Sequence, residues 1–359
     1  MKMTPAVVVS LALGSVWPAW ADGIAVGYSN CVAVASLSQA EVAQIAQLRW
    51  FFAHASVGQN MRDGVSDLRA LNATRYLLRV VSDDAAPPAV PSNGVVYAYN
   101  RGNPGWQAKT SDFTAYVQNG WRFPRVNLAV NKFCYIDQAA DASVYLNAMR
   151  SLETNDLKTV FVYMTMPLTT SQDSENYLRS LFNAAVRAWV ATNNGVLFDI
   201  ADMESRNTEG VSQTYVHSGR TCERLYSGYT TDGGHLNDAG NAGRDLVAKG
   251  FYALAAALFR ADRDGDGASD GQELIAGTSP LVPSDSFRVS GIALATNGPM
   301  RLSWPSASNR VYAVRQAAGP SAAWSDLVTN ISATPPGNTH SVTNTEAGGQ
   351  RFYRLSVQQ

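Results

Sequence analysis

The pattern that most constrains the fold is an alternation of short strand-like runs with longer amphipathic segments between about Ala40 and Ala257. Runs that are rich in β-branched and aromatic residues predict five strands. These runs are Arg49 to His54, Tyr76 to Ser82, Asn131 to Asp137, Thr159 to Met166 and Gly195 to Ile200. Because strands that alternate with helices form mainly parallel sheets, we predict an α/β domain whose reactive groups lie at the carboxyl ends of the strands.

Three of the intervening segments have apolar residues at helical spacing, which predicts one buried face on each helix. The three sets are Val57, Met61, Val65 and Leu68; Leu178, Leu181, Phe182, Ala185 and Trp189; and Val247, Phe251, Leu254 and Leu258.

The amino terminus predicts export. Lys2 is followed by an apolar run from Ala6 to about Val16 and by the small-residue pattern Ala19-Trp20-Ala21, which is typical of a cleaved signal peptide over residues 1–21. The run is too short to span a bilayer, so we expect a secreted or periplasmic protein without stable membrane insertion. A formal net charge of -1 with 16% charged residues gives no indication of a nucleic-acid partner.

The three cysteines are expected to meet an oxidising compartment. Cys134 lies in an apolar run and is predicted to be a buried free thiol, which leaves Cys31 and Cys222 as the candidate disulfide. No Cys/His spacing resembles that of a zinc site.

The character of the sequence changes after Phe259. We predict an α/β domain over residues 22–260, an acidic loop and linker over 261–284, and a small β-sandwich-like module over 285–359. Short alternating runs in the last part, such as Arg310 to Val314 and Arg351 to Val357, predict its strands.

The acidic stretch DRDGDGASDGQE, from Asp262 to Glu273, has the spacing of a calcium-binding loop. Carboxylates at alternate positions can converge on one cation, and Gly267 at the sixth position permits the sharp turn. The predicted ligands are Asp262, Asp264, Asp266, Asp270 and Glu273. The motif resembles the repeats of dockerins and of thrombospondin type-3 segments, which implies a structural Ca²⁺ and no role in catalysis. The alternative is a solvated acidic linker, whose close carboxylates would repel one another.

A second motif, TTDGGHLNDAGN, places Asp232 three residues before His235 in a glycine-rich loop that precedes a predicted helix. A nucleophile is expected at Ser56, which follows the first predicted strand and precedes a helix whose amino terminus can face an oxyanion. After a β-like run, the segment from Asn100 to Gly105 offers the unobstructed backbone amide of Gly105 to the same place.

Together these blocks resemble the SGNH (GDSL-like) hydrolase superfamily, over about Leu48 to Leu258. The resemblance implies a flavodoxin-like three-layer α/β/α fold and esterase chemistry without a catalytic cofactor. It implies that Ser56 is the nucleophile, that His235 is the general base and then acid, and that Asp232 orients His235. The backbone amides of Ser56 and Gly105 would form part of the oxyanion hole.

Two blocks depart from the family pattern. His54-Ala55-Ser56 stands where the family has Gly-Asp-Ser, and Cys134-Tyr135-Ile136-Asp137 stands where it has Gly-x-Asn-Asp. Ile136 cannot replace the asparagine that donates to the oxyanion, and an ionised Asp137 would oppose the negative charge. Three asparagines are alternative donors: Asn60, Asn100 and Asn103.

Several residues also have other interpretations. Ser56 could cap the following helix, and Asp232 could be a turn residue. His54 is a second candidate base, His217 could line the entrance, and Asp199 and Asp202 are expected to be structural hydrogen-bonding residues.

The sequence therefore predicts an exported serine esterase whose substrate carries ester groups, with acetylated extracellular polysaccharide as the first choice and lipid esters as the second. One alternative is a catalytically degenerate domain that binds or scaffolds carbohydrate, which the altered blocks favour. Another is a calcium-dependent adhesion protein whose function lies in the last module.

Overall fold

The computed structural model describes residues 23–82, 91–119, 126–294, 300–342 and 352–359. The predicted signal peptide, residues 1–21, lies outside this part of the chain. The described residues divide into two compact units, with the boundary between Arg263 and Asp264. No helix among the described residues is long and apolar enough to cross a membrane.

The first unit is built on a seven-stranded sheet in the order β1-β7-β6-β5-β2-β4-β3, with every neighbouring pair parallel. The strands are β1 (Ile24–Val26), β2 (Trp50–His54), β3 (Arg79–Ser82), β4 (Val95–Asn100), β5 (Leu128–Asn131), β6 (Val160–Met164) and β7 (Val196–Phe198). The predicted parallel α/β architecture is confirmed. The sheet has two strands more than the five predicted, because β1 is short and β4 was recognised only as a β-like run.

Helices follow most of these strands and cover both faces of the sheet. They are α1 (Tyr28–Ala33), α2 (Gln39–Ile45), α3 (Val57–Leu71), α4 (Trp106–Gln118), α5 (Ala142–Asn155), α6 (Ser174–Thr192), α7 (Ile200–Glu204) and α8 (Ala242–Leu258). The apolar faces predicted for α3 and α8 are buried.

Strand β2 lies inside the sheet, and all five of its residues are buried. Because alternate side chains point to opposite faces, Phe51 joins the core formed with α4, α5 and α6. Trp50 and Phe52 face the other way, with ring centroids 5.3 and 5.4 Å from that of Phe251 on α8. The strand is thereby fixed from both sides, and its carboxyl end is a rigid base for the residues that follow it.

The predicted strand from Asn131 to Asp137 is wrong for most of its length. Strand β5 ends at Asn131, and Tyr135–Asp137 form a short 3-10 helix. The Asp137 carboxylate accepts a hydrogen bond from the Cys134 N–H at 2.7 Å, which turns the chain locally and competes with extension of the strand.

The buried face of α6 also differs from the predicted one. Phe182 is buried, but Leu178 and Leu181 are exposed, and Arg179 and Asn183 lie on the buried side. Asn183 accepts a hydrogen bond from the Met166 N–H and donates one to the Met166 carbonyl. The buried polar residues of this helix hold the loop that follows β6.

The predicted disulfide between Cys31 and Cys222 is not formed, and the three cysteines are buried free thiols, as expected for Cys134. Cys31 lies on α1, which packs against α8, on one face of the sheet. Cys222 lies on strand β9 (Arg220–Glu223), which pairs with β8 (Thr214–His217) and packs against α6, on the other face. The two thiols are therefore on opposite sides of the sheet.

The second unit begins with α9 (Asp270–Ala276) and continues as a small antiparallel β structure, as predicted. Its strands are β10 (Gly291–Leu294), β11 (Met300–Pro305), β12 (Val311–Ala317), β13 (Ser325–Ser332), β14 (Gly337–Val342) and β15 (Phe352–Gln358). They form two three-stranded sheets, β10-β11-β14 and β13-β12-β15, around a core that contains Trp304 and Tyr312.

Candidate active site

Ser56 lies at the sharp turn between β2 and α3. Its φ of 53° and ψ of -117° are unusual for a residue with a side chain, and such a conformation is typical of a serine held at a strained strand-to-helix turn. The turn is tight, since a Cβ on Gly58 would lie 2.4 Å from the Cβ of His54. The Ser56 hydroxyl makes no capping hydrogen bond with α3, so the interpretation of this residue as a simple helix cap is wrong.

The structure brings Ser56, His235 and Asp232 together in a chain of hydrogen bonds. Ser56 Oγ is 2.8 Å from His235 Nε2, and His235 Nδ1 is 2.8 Å from Asp232 Oδ2. Since the carboxylate can only accept, Nδ1 carries the proton, and Nε2 is left to accept the proton of the serine hydroxyl. This is the geometry needed to activate a serine nucleophile.

The Asp232 carboxylate is strongly stabilised as an anion. Its Oδ1 accepts hydrogen bonds from the N–H groups of Gly234 and His235 at 3.0 and 2.8 Å. Burial raises the pKa of Asp232, but these two bonds and the His235 side chain outweigh burial and hold the pKa below its usual range. Asp232 is therefore ionised at neutral pH, and its Oδ2 is in contact with the His235 ring.

The loop that carries the histidine is fixed by contacts outside itself. The Leu236 N–H donates to Asn60 Oδ1 on α3 at 3.2 Å, and the Thr170 N–H donates to the Gly233 carbonyl at 2.9 Å. Gly233 has a φ of +85°, a conformation that glycine adopts without strain. Helix α3 therefore begins directly after Ser56 and also contacts the loop that carries His235.

Gly105, the second predicted oxyanion donor, immediately precedes α4. It has a φ of +92°, and among the described residues the one atom within 4 Å of a Cβ built there is Gln107 Oε1, at 3.9 Å. The register of β2 and β4 pairs His54 with Asn100, and the Arg101 N–H donates to the His54 carbonyl at 3.0 Å. The loop that carries Gly105 therefore starts beside the turn that carries Ser56, and its role in an oxyanion hole stays a prediction.

Asp137 does not present a free carboxylate to the site, contrary to the expectation from the sequence. It is buried, and its Oδ2 is 2.5 Å from Lys109 Nζ, which is also buried. Lys109 also donates to Asn103 Oδ1 at 2.9 Å, which leaves the Asn103 amide nitrogen available as a donor. Asn60 and Asn100 likewise use their oxygens as acceptors, from Leu236 N–H and Gly102 N–H, so all three asparagines stay candidates.

Three buried cations, Arg101, Lys109 and Lys132, lie near the carboxyl ends of β4 and β5; we call them the buried basic cluster. Lys132 Nζ donates to the Phe133 carbonyl at 3.0 Å, and the Ala55 carbonyl lies 3.4 Å away. Burial lowers the pKa of Lys132 and that of Arg101, the latter to about 10. Positive charge in a dry site strongly favours a developing oxyanion.

Tyr135 is the residue near the triad that sequence reasoning missed. Its ring lies edge-on to His235, with 5.5 Å between the centroids. Burial raises the pKa of Tyr135. The only indication in the sequence was its place in the altered Gly-x-Asn-Asp block.

His54, the second candidate base, is not suited to that role. It is buried, stacks on Phe52 with 5.0 Å between ring centroids, and neither ring nitrogen has a hydrogen-bond partner among the described residues. Burial, together with the charges of Lys132, Arg62 and Arg101, lowers the pKa of His54 to about 3. His54 is neutral at physiological pH, whereas His235 is the imidazole that contacts Ser56.

We expect His54→Leu to remove part of the acid sensitivity of the fold. Between a pH of about 6.5 and about 3, His54 is protonated in the unfolded chain but neutral in the folded protein. This residue therefore lowers the free energy of unfolding as the pH falls. At pH 5 the loss amounts to about 2 kcal/mol. Urea unfolding of the wild type and the variant at pH 8 and pH 5 checks this; an equal loss of stability in both proteins on acidification would contradict it.

The remaining predicted residues lie apart from the triad. His217 is on β8, with its ring 4.9 Å from that of Tyr177. Asp199 pairs with Arg187, and Asp202 accepts hydrogen bonds from the Tyr28 N–H and from Arg206. Both carboxylates therefore have the structural role expected of them.

The acidic loop brings three of its five predicted ligands together. Carboxylate oxygens of Asp262, Asp264 and Asp266 all lie within 4.8 Å of one another, and Gly267 has the positive φ, +97°, that its place in the turn requires. Asp270 and Glu273 are buried on the first turns of α9. A set of carboxylate oxygens alone is the chemistry that Ca²⁺ prefers, so the residues present fit this ion.

Comparisons with known proteins find similarity to solved structures and to one family model. A lipolytic-named protein of the G-D-S-L family from Desulfitobacterium hafniense DCB-2 aligns with 58% of this chain and 99% of its own, at 8% identity and a TM-score of 0.35. A protein from Streptococcus pneumonia, named as a platelet activating factor, aligns with 62% of this chain and 89% of its own, at 13% identity and a TM-score of 0.36. No curated protein matches the chain significantly. Residues 262–283 match the family model of the bacterial TSP3 repeat.

Proposed function

We propose that the first unit is a serine esterase. The observation that carries the proposal is the hydrogen-bonded sequence Ser56, His235 and Asp232, with 2.8 Å at each step between side chains. The unusual backbone of Ser56 and the anionic state of Asp232 support it, because a simple surface serine needs neither.

In the proposed reaction, His235 Nε2 takes the proton of the Ser56 hydroxyl while Oγ attacks the carbonyl carbon of the ester. The negative charge that forms on the carbonyl oxygen is stabilised by the backbone amides of Ser56 and Gly105. His235 then returns its proton to the departing alcohol, which leaves an acyl group on Ser56. Water, deprotonated by His235, releases the acid in a second round.

The substrate proposed is an acetyl ester on an extracellular carbohydrate, with lipid esters as the second choice. The match of residues 262–283 to the bacterial TSP3 repeat and the β-rich second unit support an extracellular setting. The signal-peptide pattern of residues 1–21 supports export.

The function is tested by the release of p-nitrophenol from acetate, butyrate and palmitate esters, and of acetate from acetylated xylan. We expect cleavage of the acetate ester and the xylan but not of the palmitate. A fluorophosphonate probe should label the protein, and peptide mass spectrometry should place the label on Ser56. Labelling of another serine would contradict the assigned nucleophile, and preference for palmitate would move the substrate to lipids.

A second candidate function, binding without turnover, is favoured by Ile136, whose exposed hydrocarbon side chain replaces a family donor. A degenerate domain would bind acetylated xylan in affinity electrophoresis but release no acetate. The esterase proposal predicts release, so the same substrate separates the two.

We further propose that the acidic loop binds a structural Ca²⁺. Saturation at about a hundred times the dissociation constant would stabilise the second unit by about 2.7 kcal/mol. We expect calcium to raise the unfolding temperature of this unit in calorimetry, and the double variant Asp264→Asn/Asp266→Asn to abolish the shift. Esterase activity in EDTA should stay within about twofold; loss of activity on chelation would contradict a purely structural role.

A further inference from the structure

We propose that the Tyr135 hydroxyl is the side-chain hydrogen-bond donor to the oxyanion, in place of the asparagine that this chain lacks at Ile136. This inference rests on the proposed esterase function. It assigns a catalytic role to a residue that would contact the carbonyl oxygen of the substrate.

Tyr135 lies beside the histidine of the proposed triad. Its ring meets that of His235 edge-on, with 5.5 Å between the ring centroids, and His235 Nε2 is in turn 2.8 Å from Ser56 Oγ. A Cβ on Gly234 would be 2.9 Å from Tyr135 Cε1 and 3.3 Å from its hydroxyl oxygen. The glycine next to His235 thus leaves the space that this ring occupies.

The tyrosine is held in place before any substrate binds. Arg179, whose side chain is 2% exposed, donates from Nε to the Tyr135 carbonyl at 2.6 Å. Its guanidinium carbon is 6.0 Å from the centroid of the Tyr135 ring. The 3-10 turn that contains Tyr135 is also stabilised by the hydrogen bond from the Cys134 N–H to the Asp137 carboxylate. Such preorganisation is what makes a donor effective in catalysis, because no reorganisation is needed as charge develops.

The neighbouring residues explain why a donor is needed at this position. Ile136 offers no polar hydrogen, and its side chain is half exposed. Asp137 is occupied by Lys109 and the Cys134 N–H. Within the four-residue block, Tyr135 is therefore the side chain that carries an O–H group, and its ring contacts that of His235. A phenol O–H keeps its proton at neutral pH and donates well to an anion.

The test compares Tyr135→Phe with the wild type on two matched substrates, p-nitrophenyl acetate and p-nitrophenyl thionoacetate, whose carbonyl oxygen is replaced by sulfur. Loss of one oxyanion donor costs about a hundredfold or more in kcat. Because sulfur accepts hydrogen bonds weakly, we expect that loss on the oxygen ester, little change in KM, and a much smaller loss on the thionoester. Tyr76→Phe, at a tyrosine that packs against Tyr252, is the control and should keep the activity of the wild type.

Several results would overturn the inference. If the wild type is active and Tyr135→Phe retains its kcat within about twofold, the esterase stands and the role of Tyr135 falls. Equal losses on both substrates would make Tyr135 a positioning residue for His235. A wild type that cleaves no ester would overturn the proposed function together with the inference.

Discussion

Ser56→Ala and His235→Ala are each expected to lower kcat for p-nitrophenyl acetate by roughly four to six orders of magnitude, and the double variant by no more than either alone. The reason is that the two side chains act as one unit, with proton transfer across the 2.8 Å contact between Oγ and Nε2. Asp232→Asn should cost less, because the Asp232 side chain is 46% exposed and water can partly replace it.

The control for this series is Ser66→Ala, an exposed serine on the same helix as Ser56 whose hydroxyl donates only to the Arg62 carbonyl. It should have the kcat of the wild type. Unfolding curves must show that all variants are folded. More than a tenth of the activity in folded Ser56→Ala would exclude Ser56 as the nucleophile.

Lys109→Met is expected to destabilise the first unit by about 3–5 kcal/mol. Lys109 and Asp137 are 0% and 2% exposed at the side chain and are 2.5 Å apart, so removal of the cation leaves a buried carboxylate without its counter-charge. The variant also frees Asn103 Oδ1, which accepts from Lys109. Denaturant unfolding of the full chain measures the effect in the transition of the first unit.

A matched control is Arg260→Met, which breaks an exposed pair with Glu41 and should cost at most about 1 kcal/mol. The double variant Lys109→Met/Asp137→Leu should recover part of the lost stability, since no isolated charge remains. A cost for Lys109→Met no larger than that of the control would show that water or another cation compensates Asp137.

The parts of the site that are close in sequence were predictable. Asp232 and His235 are three residues apart, and that spacing alone allows the contact between the carboxylate and the imidazole. Ser56 could be assigned to the same site because it follows a strand whose apolar and aromatic residues predict burial. The carboxyl ends of parallel strands lie at one edge of the sheet. The sequence supplied the order of these blocks, and the topology of the sheet supplied their proximity.

The parts that depend on the direction of a side chain were not predictable. An ionised Asp137 was expected to oppose the oxyanion, but Lys109, 28 residues earlier, pairs with it. The strand predicted through Tyr135 is replaced by a 3-10 turn. The Cys134 N–H donates to the nearby Asp137 carboxylate, and this local hydrogen bond favours a turn even though the residues are apolar. Arg179 lies on the buried side of α6, where its side chain donates a hydrogen bond to the Tyr135 carbonyl. Each error involves a polar contact that periodicity does not encode.

Helices α3 and α8 meet so closely that a Cβ on Gly64 would lie 2.5 Å from the carbonyl oxygen of Arg244. Ser56 stands at the start of one helix, and the loop with His235 leads into the other, 179 residues later. On the ribosome, the nucleophile therefore emerges roughly 10–40 seconds before its base. A nascent chain that stops before His235 has neither the imidazole nor the helix that packs on α3, so the proposed hydrolysis should begin only when synthesis of this unit is complete.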